Sequence, residues 1–173
     1  MKRITPYKSN VAHPNTIRTH SGLYMNVFAP TVDMICIEDI AHALSMLCRF
    51  GGHCSEFYSV AQHSLLCADL VPKEYKLEAL LHDAAEAYLV DLPSPIKHRM
   101  PDYQSIEDKL MKVIAKKFDL VYPFPEVIHK ADKDMLKYEW DALIEGFNRF
   151  ITPLSDQACI KKGFLRQYYI YKR

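Results

Sequence analysis

The chain has 173 residues, a length typical of one domain. Hydrophobic residues make up 49% of it and charged residues 25%, which predicts a soluble globular protein and excludes a disordered chain. The 22 basic and 21 acidic residues give a net charge of +1, so bulk electrostatic binding to a nucleic-acid polymer is not encoded. A local cluster of cations can still hold a small anion.

The sequence also indicates the cellular compartment in which the protein is expected. No apolar run approaches the ~18 residues that a membrane-spanning helix requires, which argues against a membrane partner. The basic residues near Met1 precede no apolar stretch, so no secretory signal is visible and a cytoplasmic location is expected. The five cysteines are odd in number and form no CxxC pair. Free thiols are therefore expected, and a zinc knuckle is not.

Residues 1–35 are predicted to form an irregular arm that belongs to the same domain as the rest of the chain. Three prolines interrupt this segment, and the Ser21-Gly22 pair indicates a turn. The weak alternation over residues 23–28 is typical of a short strand. We therefore expect the arm to wrap around a helical body.

Residues 36–173 are predicted to form a single all-α bundle of about six helices. Apolar residues recur with helical spacing from Ile37 onward, and Gly51-Gly52 is predicted to end this first helix. A capping box formed by Ser105 and Asp108 is predicted to open the fourth helix. The helices after the first are expected at about 57–70, 73–90, 105–118, 126–150 and from 155 onward.

Polar residues interrupt the apolar faces of these helices at three places, and buried charges require partners. His82-Asp83 lies in a helix rich in Ala and Leu, with Glu86 one turn further along. His63 and Asp132 each share a helix face with apolar residues. The alternative interpretations are an exposed polar stripe at 82–86, a hydrogen-bonded core histidine at 63 and a surface ion pair at 132.

Taken together, these residues supply two imidazoles and two carboxylates from three different helices. Mixed nitrogen and oxygen ligands suit a divalent cation such as Mn²⁺, Co²⁺, Fe²⁺, Zn²⁺ or Mg²⁺. Such an ion can activate a water and neutralise charge that develops on a phosphate. The sequence thus predicts a metal site, and it leaves the identity of the metal open.

Longer strings around these positions carry a resemblance to a known family. They are Cys48-Arg49-Phe50, residues 57–64, residues 81–88 and residues 91–97. Together with the order of the predicted ligands, these strings resemble the HD-domain metal-dependent phosphohydrolases. Within that family, the chain is similar to a small single-domain branch. This branch includes bacterial 5′-deoxynucleotidases and phage dNTP triphosphohydrolases, among them dATP-selective ones.

The resemblance implies a role for each matching position. The implied metal ligands are His63, His82, Asp83 and Asp132. The implied catalytic residues are Glu86, Asp91 and Arg49. Glu86 would orient or deprotonate the attacking water, and Asp91 would protonate the leaving oxygen or position water. Arg49 would hold the phosphate. The implied substrate-binding residues are Arg49 and Lys97 for phosphate oxygens, and Phe50 and Pro95 for the base and sugar.

Each of these residues also has an ordinary interpretation. Arg49 can be a cation at a helix C-terminus, Asp91 a turn-forming aspartate and Lys97 a surface lysine. His53 can touch phosphate or be a loop histidine. Phe50 stands where the bacterial 5′-deoxynucleotidases typically have Trp, which leaves the discrimination against ribose open.

The expected function is metal-dependent hydrolysis of 2′-deoxynucleotides in the cytoplasm of a bacterium or a phage-infected cell. A 5′-deoxynucleotidase would attack dNMP, and a triphosphohydrolase would attack a dNTP such as dATP. The latter needs more cations, for which Arg18, Lys97, Arg99 and Lys130 are candidates. The alternative is a non-catalytic nucleotide-binding sensor or interaction module, although the complete set of ligands and acids favours an enzyme. The resemblance further implies a homo-oligomer.

Overall fold

A computed structural model describes residues 15–147, 151–154 and 156–172. Within these residues the chain is all-α apart from one short hairpin, which confirms the predicted fold class. The α-helices are α1 (Ile37–Met46), α2 (Val60–Asp69), α3 (Lys76–Leu81), α4 (Glu86–Leu89), α5 (Ser94–Lys97), α6 (Pro101–Phe118), α7 (Glu126–Leu143) and α8 (Gln157–Tyr171). Short 3-10 turns occur at Val32–Met34, Arg49–Gly52 and Lys73–Tyr75.

The described part of the arm forms an antiparallel hairpin of β1 (Thr16–Arg18) and β2 (Tyr24–Asn26). The second strand agrees with the strand expected from the sequence. Its central residue, Met25, is fully buried in the core. The hairpin is also tied to α1, because Ser21 donates its N–H and its hydroxyl to the two carboxylate oxygens of Asp39 at 2.6 and 2.7 Å. These contacts hold the hairpin against α1.

Helix α2 lies at the centre of the molecule, where it packs against α1, α3, α7 and α8. Ser59 caps its N-terminus by accepting a hydrogen bond from the N–H of Gln62 at 3.1 Å. Most of its residues are buried, polar ones included. A polar side chain on a helix that is enclosed in this way must find its partners inside the protein, because water does not reach it.

The predicted third helix is not continuous, because residues 82–85 form turns between α3 and α4. His82 Nδ1 donates to the carbonyl of Ala79 at 2.7 Å, the acceptor that the Asp83 N–H would use in an unbroken α-helix. The N–H of Ala84 bonds instead to the carbonyl of Leu81 at 3.1 Å, three residues back. The break therefore occurs where the predicted metal ligands lie.

Several predicted helix ends are also wrong. Helix α6 begins at Pro101, a residue type suited to the first turn, so Ser105 and Asp108 lie inside the helix and form no capping box. The first and fifth predicted helices end earlier than expected, at Met46 and Leu143. Residues 148–150 and Ser155, where a helix end and a helix start were expected, lie outside the described residues. None of the described helices is both long and apolar enough to span a membrane.

Candidate metal centre

Four side chains that the sequence singles out converge on one point. His63 comes from α2, His82 and Asp83 from the turns after α3, and Asp132 from α7. The Nε2 atoms of the two histidines are 3.3 Å apart. Asp132 Oδ1 lies 3.2 Å from His63 Nε2 and 3.8 Å from His82 Nε2. Asp83 Oδ2 lies 3.2 Å from His82 Nε2 and 3.6 Å from His63 Nε2.

These separations are suited to one divalent cation. Ligand bonds to such an ion are about 2.0–2.2 Å long, so neighbouring ligand atoms around it lie roughly 3 Å apart. The observed separations of 3.2 to 3.8 Å are close to this value. A small inward movement of the side chains would complete the coordination.

The second ring nitrogen of each histidine strengthens the case for a cation. His63 Nδ1 lies 2.6 Å from Glu139 Oε1, and His82 Nδ1 lies 2.7 Å from the carbonyl of Ala79. Both acceptors fix the hydrogen on Nδ1, which leaves the Nε2 lone pairs facing each other. Histidines that bind metals are oriented in this way. Two lone pairs at 3.3 Å repel unless a proton or a cation lies between them, so the residues fit a divalent cation.

Cys67 adds a sulfur beside this group. His63, Cys67, His82 and Asp132 each offer one donor atom, and these atoms lie within 4.8 Å of one another. Cys67 Sγ is 3.5 Å from His63 Nε2 and 3.8 Å from His63 Nδ1, so it lies beside the ring and not ahead of Nε2. Asp83 is not part of this group of four, although its Oδ2 lies 3.2 Å from His82 Nε2 and 3.6 Å from His63 Nε2. The sequence analysis gave Cys67 no metal role, although its position one turn after His63 on α2 was a usable signal.

The charges of the cluster depend on one another. Burial by itself would lower the pKa of His82, but the carboxylates of Asp83 and Asp132 outweigh this effect and raise it well above the usual value. Burial would likewise raise the pKa of Asp83, but His82 and His63 hold it below the usual value. Asp83 and the half-exposed Asp132 thus place negative charge beside the two histidines. They require positive charge, from protons or from a metal.

Glu86 begins α4 and is 5% exposed. Its Oε1 lies 3.3 Å from the ammonium of Lys97, and its buried Oε2 has no hydrogen-bond partner among the described residues. Burial raises the pKa of Glu86 well above its usual value, and the nearby carboxylates of Asp83 and Asp91 raise it further. A raised pKa makes a carboxylate a better acceptor for a proton.

Asp91 follows a strained residue at the end of α4. Val90 has a φ of +72°, an unusual value for a β-branched residue. Its carbonyl accepts a hydrogen bond of 2.7 Å from the hydroxyl of Tyr103, which helps to hold this conformation. The chain then directs Asp91 into a cavity. Burial raises the pKa of Asp91, against the opposing effect of Arg49.

Arg49 lies in the turn between α1 and α2, and its side chain is buried. Its Nη2 lies 3.0 Å from Glu139 Oε2, and its Nη1 lies 3.8 Å from Asp83 Oδ2. The buried Nε has no hydrogen-bond partner among the described residues. Arg49 is therefore not a cation in the last turn of α1, which ends three residues earlier. Its guanidinium lies beside the cluster, between Glu139 and Asp83.

The aromatic residue after Arg49 lies in a run of left-handed backbone. Phe50, Gly51 and Gly52 have φ values of +56°, +61° and +82°. The Phe50 ring contacts Trp140 edge to face, with centroids 6.0 Å apart. Beside this pair is a cavity of about 450 Å³, lined by Phe50, Asp91, Leu92, Pro93, Ser94, Pro95, Lys133, Leu136, Lys137, Trp140 and Asp141. The two residues predicted to contact base and sugar thus line one cavity, and His53 is exposed nearby.

Lys97 lies apart from Phe50 and Pro95. It lines a second cavity of about 270 Å³, together with His82, Asp83 and Asp132. Its ammonium is 2.7 Å from Glu107 and 3.3 Å from Glu86. Lys97 is thus no plain surface lysine, but the structure gives it two carboxylate partners in place of an open phosphate site.

Glu139, which is fully buried on α7, is not among the site residues predicted from the sequence. It bonds to Arg49, Tyr58 and His63. Glu139 lies one turn after the buried Met135 and one turn before the buried Leu143. An acid on an apolar helix face was the signal that drew attention to Asp132, and the same signal would have found Glu139.

The fold and this site define an all-helical protein with a candidate metal centre. No protein-family model matches the sequence. YfdR of Escherichia coli K12, an uncharacterized protein, is 47% identical over 123 residues, which cover 71% of this chain and 69% of YfdR. An uncharacterized protein of Rhodobacter capsulatus is 36% identical over 126 residues, which cover 67% of this chain and 64% of that protein. The chain therefore belongs to the family of YfdR.

Proposed function

We propose that the protein is a metal-dependent phosphohydrolase of nucleotides, of the HD-domain type that its sequence resembles. One observation carries the proposal. The Nε2 atoms of His63 and His82 face each other at 3.3 Å, with both Nδ1 atoms occupied and two carboxylates at hand. Asp83 and Asp132 complete the proposed ligand set, and Cys67 is the alternative fourth donor.

The groups around this centre supply the parts of a hydrolytic reaction. A divalent cation in such a site lowers the pKa of a water and offsets charge that develops on phosphorus. Glu86 takes the proton of the attacking water as the P–O bond to the leaving group breaks. Arg49 holds phosphate oxygens through its unpartnered Nε and its Nη1. Asp91, with its raised pKa, returns a proton to the leaving oxygen.

The cavity beside Phe50 is proposed to hold the nucleoside. Its volume of about 450 Å³ is in the range of small-molecule sites. The Phe50 and Trp140 rings offer an aromatic surface for a base, and Pro95 closes part of the wall. Asp91 lines the same cavity, so the leaving oxygen of a nucleoside can lie near this acid. The preference for 2′-deoxyribose follows from the family resemblance.

The distribution of cations favours a phosphomonoester over a triphosphate. Arg18, Arg99 and Lys130 line neither cavity, and Lys130 pairs with Asp134 on the surface. Lys97 is already bound to two carboxylates. Attack on the phosphate of a dNMP therefore fits best. Lys133 and Lys137, which line the nucleoside cavity, are the cations left for a dNTP.

A product assay tests the proposal. Protein that has been stripped of metal and supplied with Mn²⁺, Co²⁺ or Mg²⁺ is incubated with dNMPs, dNTPs and their ribose forms. Deoxynucleoside and inorganic phosphate from dNMPs are expected. Release of intact triphosphate from dNTPs would instead indicate a triphosphohydrolase. Nucleotide binding without turnover under every metal would contradict the proposal and favour the sensor interpretation.

A further inference from the structure

Glu139 is a fully buried carboxylate whose oxygens both accept hydrogen bonds from site residues. Oε1 accepts from the hydroxyl of Tyr58 at 2.8 Å and from Nδ1 of His63 at 2.6 Å. Oε2 accepts from Nη2 of Arg49 at 3.0 Å. Arg49 lies in the turn before α2, Tyr58 in the segment that leads into α2, and His63 on α2 itself. Glu139 lies on α7.

The three donors engage both oxygens of Glu139. Neither oxygen is therefore available to take a proton from a substrate or a water. Its exposed fraction of 0% also keeps it from the substrate. Glu139 therefore does not act on the reacting atoms.

We infer that Glu139 is a positioning residue that couples the proposed metal ligand His63 to the proposed phosphate-binding Arg49. By accepting from Nδ1, it holds the His63 hydrogen on that nitrogen and directs Nε2 at the metal. By accepting from Nη2, it anchors one end of the guanidinium and leaves Nε, which has no partner among the described residues, for phosphate. This inference rests on the proposed function for the role of Arg49, whereas the orientation of His63 does not depend on it.

Helix α7 gives this coupling a structural basis. It carries Asp132, a proposed ligand, two turns before Glu139. A single helix thus supplies one ligand directly and orients a second ligand, His63, on the neighbouring α2. A displacement of α7 would therefore change the metal centre and the phosphate site together.

The test compares Glu139→Gln with Tyr58→Phe. The glutamine keeps the size of the side chain but loses the charge and one of the two acceptor oxygens, so it cannot accept from both His63 and Arg49. The Tyr58→Phe variant removes one buried hydrogen bond to the same Oε1 and leaves His63 and Arg49 paired. It therefore controls for a purely structural loss. Two measurements need no activity: Mn²⁺ affinity by calorimetry, and the tautomer of the neutral His63 ring in metal-free protein by ¹⁵N NMR at alkaline pH.

For Glu139→Gln we expect a roughly 10- to 100-fold loss of Mn²⁺ affinity and a smaller share of His63 with its hydrogen on Nδ1. KM for the phosphate substrate should rise as well, since Arg49 loses its anchor. Tyr58→Phe should keep the wild-type affinity and tautomer. Wild-type Mn²⁺ affinity and tautomer in Glu139→Gln, or equal losses in both variants, would overturn the inference.

Two provisions keep this test decisive. If Glu139→Gln does not fold by circular dichroism, Glu139→Asp retains the charge but shortens the reach, and a loss of Mn²⁺ affinity is again expected. Unchanged affinity in Glu139→Asp would count against positioning. If wild-type protein hydrolyses no nucleotide, the proposed function fails, yet the calorimetry and NMR still decide whether Glu139 orients His63.

Discussion

Two buried glutamates lie on different sides of the candidate centre and have opposite electrostatic environments. Glu86 is 5% exposed and Glu139 is 0% exposed, so burial alone does not distinguish them. Glu139 has three donors, and its pKa is lowered. Glu86 has one cation at 3.3 Å and one oxygen without a partner among the described residues, and its pKa is raised well above the usual value.

The difference shows that the number and charge of the partners assign roles to buried carboxyl groups. A carboxylate with a full set of donors stays ionised and orients the groups around it. A carboxyl group that lacks donors and lies near other carboxylates has a pKa closer to neutrality and can exchange a proton. The proposed function therefore assigns Glu139 to the orientation of the site and Glu86 to proton transfer.

The largest effect is expected from removal of a proposed metal ligand. The proposed roles of both glutamates depend on the metal centre, so loss of the centre removes both. His82→Ala and Asp83→Ala should abolish Mn²⁺ binding and turnover while leaving the helix content largely intact. Asp134→Ala is the matched control, because this aspartate pairs with Lys130 on the exposed face of α7. Calorimetry with Mn²⁺ and the product assay measure both properties. Full activity in either ligand variant would show that the assigned centre is wrong.

Glu86→Gln separates the two glutamates directly. The variant keeps the shape of the side chain but cannot take up a proton, so turnover should fall by about 10²- to 10⁴-fold. Mn²⁺ affinity should stay near the wild-type value, in contrast to Glu139→Gln. Steady-state rates and calorimetry provide the comparison. A loss of Mn²⁺ binding with little change in rate would reverse the two roles.

The aromatic pair next to Arg49 is expected to have a smaller effect, on substrate affinity alone. Stacking of a base on an aromatic side chain contributes about 1–3 kcal/mol, so Trp140→Ala should raise KM roughly 5- to 150-fold with little change in kcat. Trp140 is the single tryptophan of the chain, so its fluorescence reports on the cavity. Deoxynucleosides should quench it, and inorganic phosphate should not. If no nucleoside quenches the fluorescence, the prediction that the base binds in this cavity is wrong.

The smallest effect is a shift in pH dependence that depends on Lys97. Its ammonium lowers the pKa of Glu86, so Lys97→Met should raise that pKa. A general base acts when it is deprotonated, and the rising limb of kcat should therefore move to higher pH. Lys112→Met, which removes an exposed partner of Asp108, is the control and should leave the limb in place. An unchanged limb in Lys97→Met would mean that Glu86 is not the titrating base.

The sequence predicted the fold well wherever hydrophobic periodicity dominates. The helical class and the start of α1 follow from the spacing of apolar residues, and the start of α7 at Glu126 follows from the proline-rich break before it. The break at residues 82–85 could not be predicted this way, because it depends on His82 bonding to the carbonyl of Ala79. The start of α6 was misplaced because Ser105 and Asp108 imitate a capping box inside the helix.

The candidate site was predictable as a set of residues but not as a geometry. Polar interruptions of apolar faces pointed to His63, His82, Asp83 and Asp132, and the structure brings them together. The pairing of Lys97 with Glu107 could not be read from the sequence, because it depends on how α5 packs against α6. Lys97 lines one cavity, and Phe50 and Pro95 line another. This separation also depends on how the helices pack, so the sequence could not predict it.

The most direct test of the central claim is a crystal structure of the protein grown with Mn²⁺, with data collected at a wavelength where manganese scatters anomalously. The account predicts one strong anomalous peak bonded to Nε2 of His63 and Nε2 of His82, with the carboxylates of Asp83 and Asp132 as further ligands. A peak elsewhere on the protein, or no peak although both histidines are ordered, would contradict it.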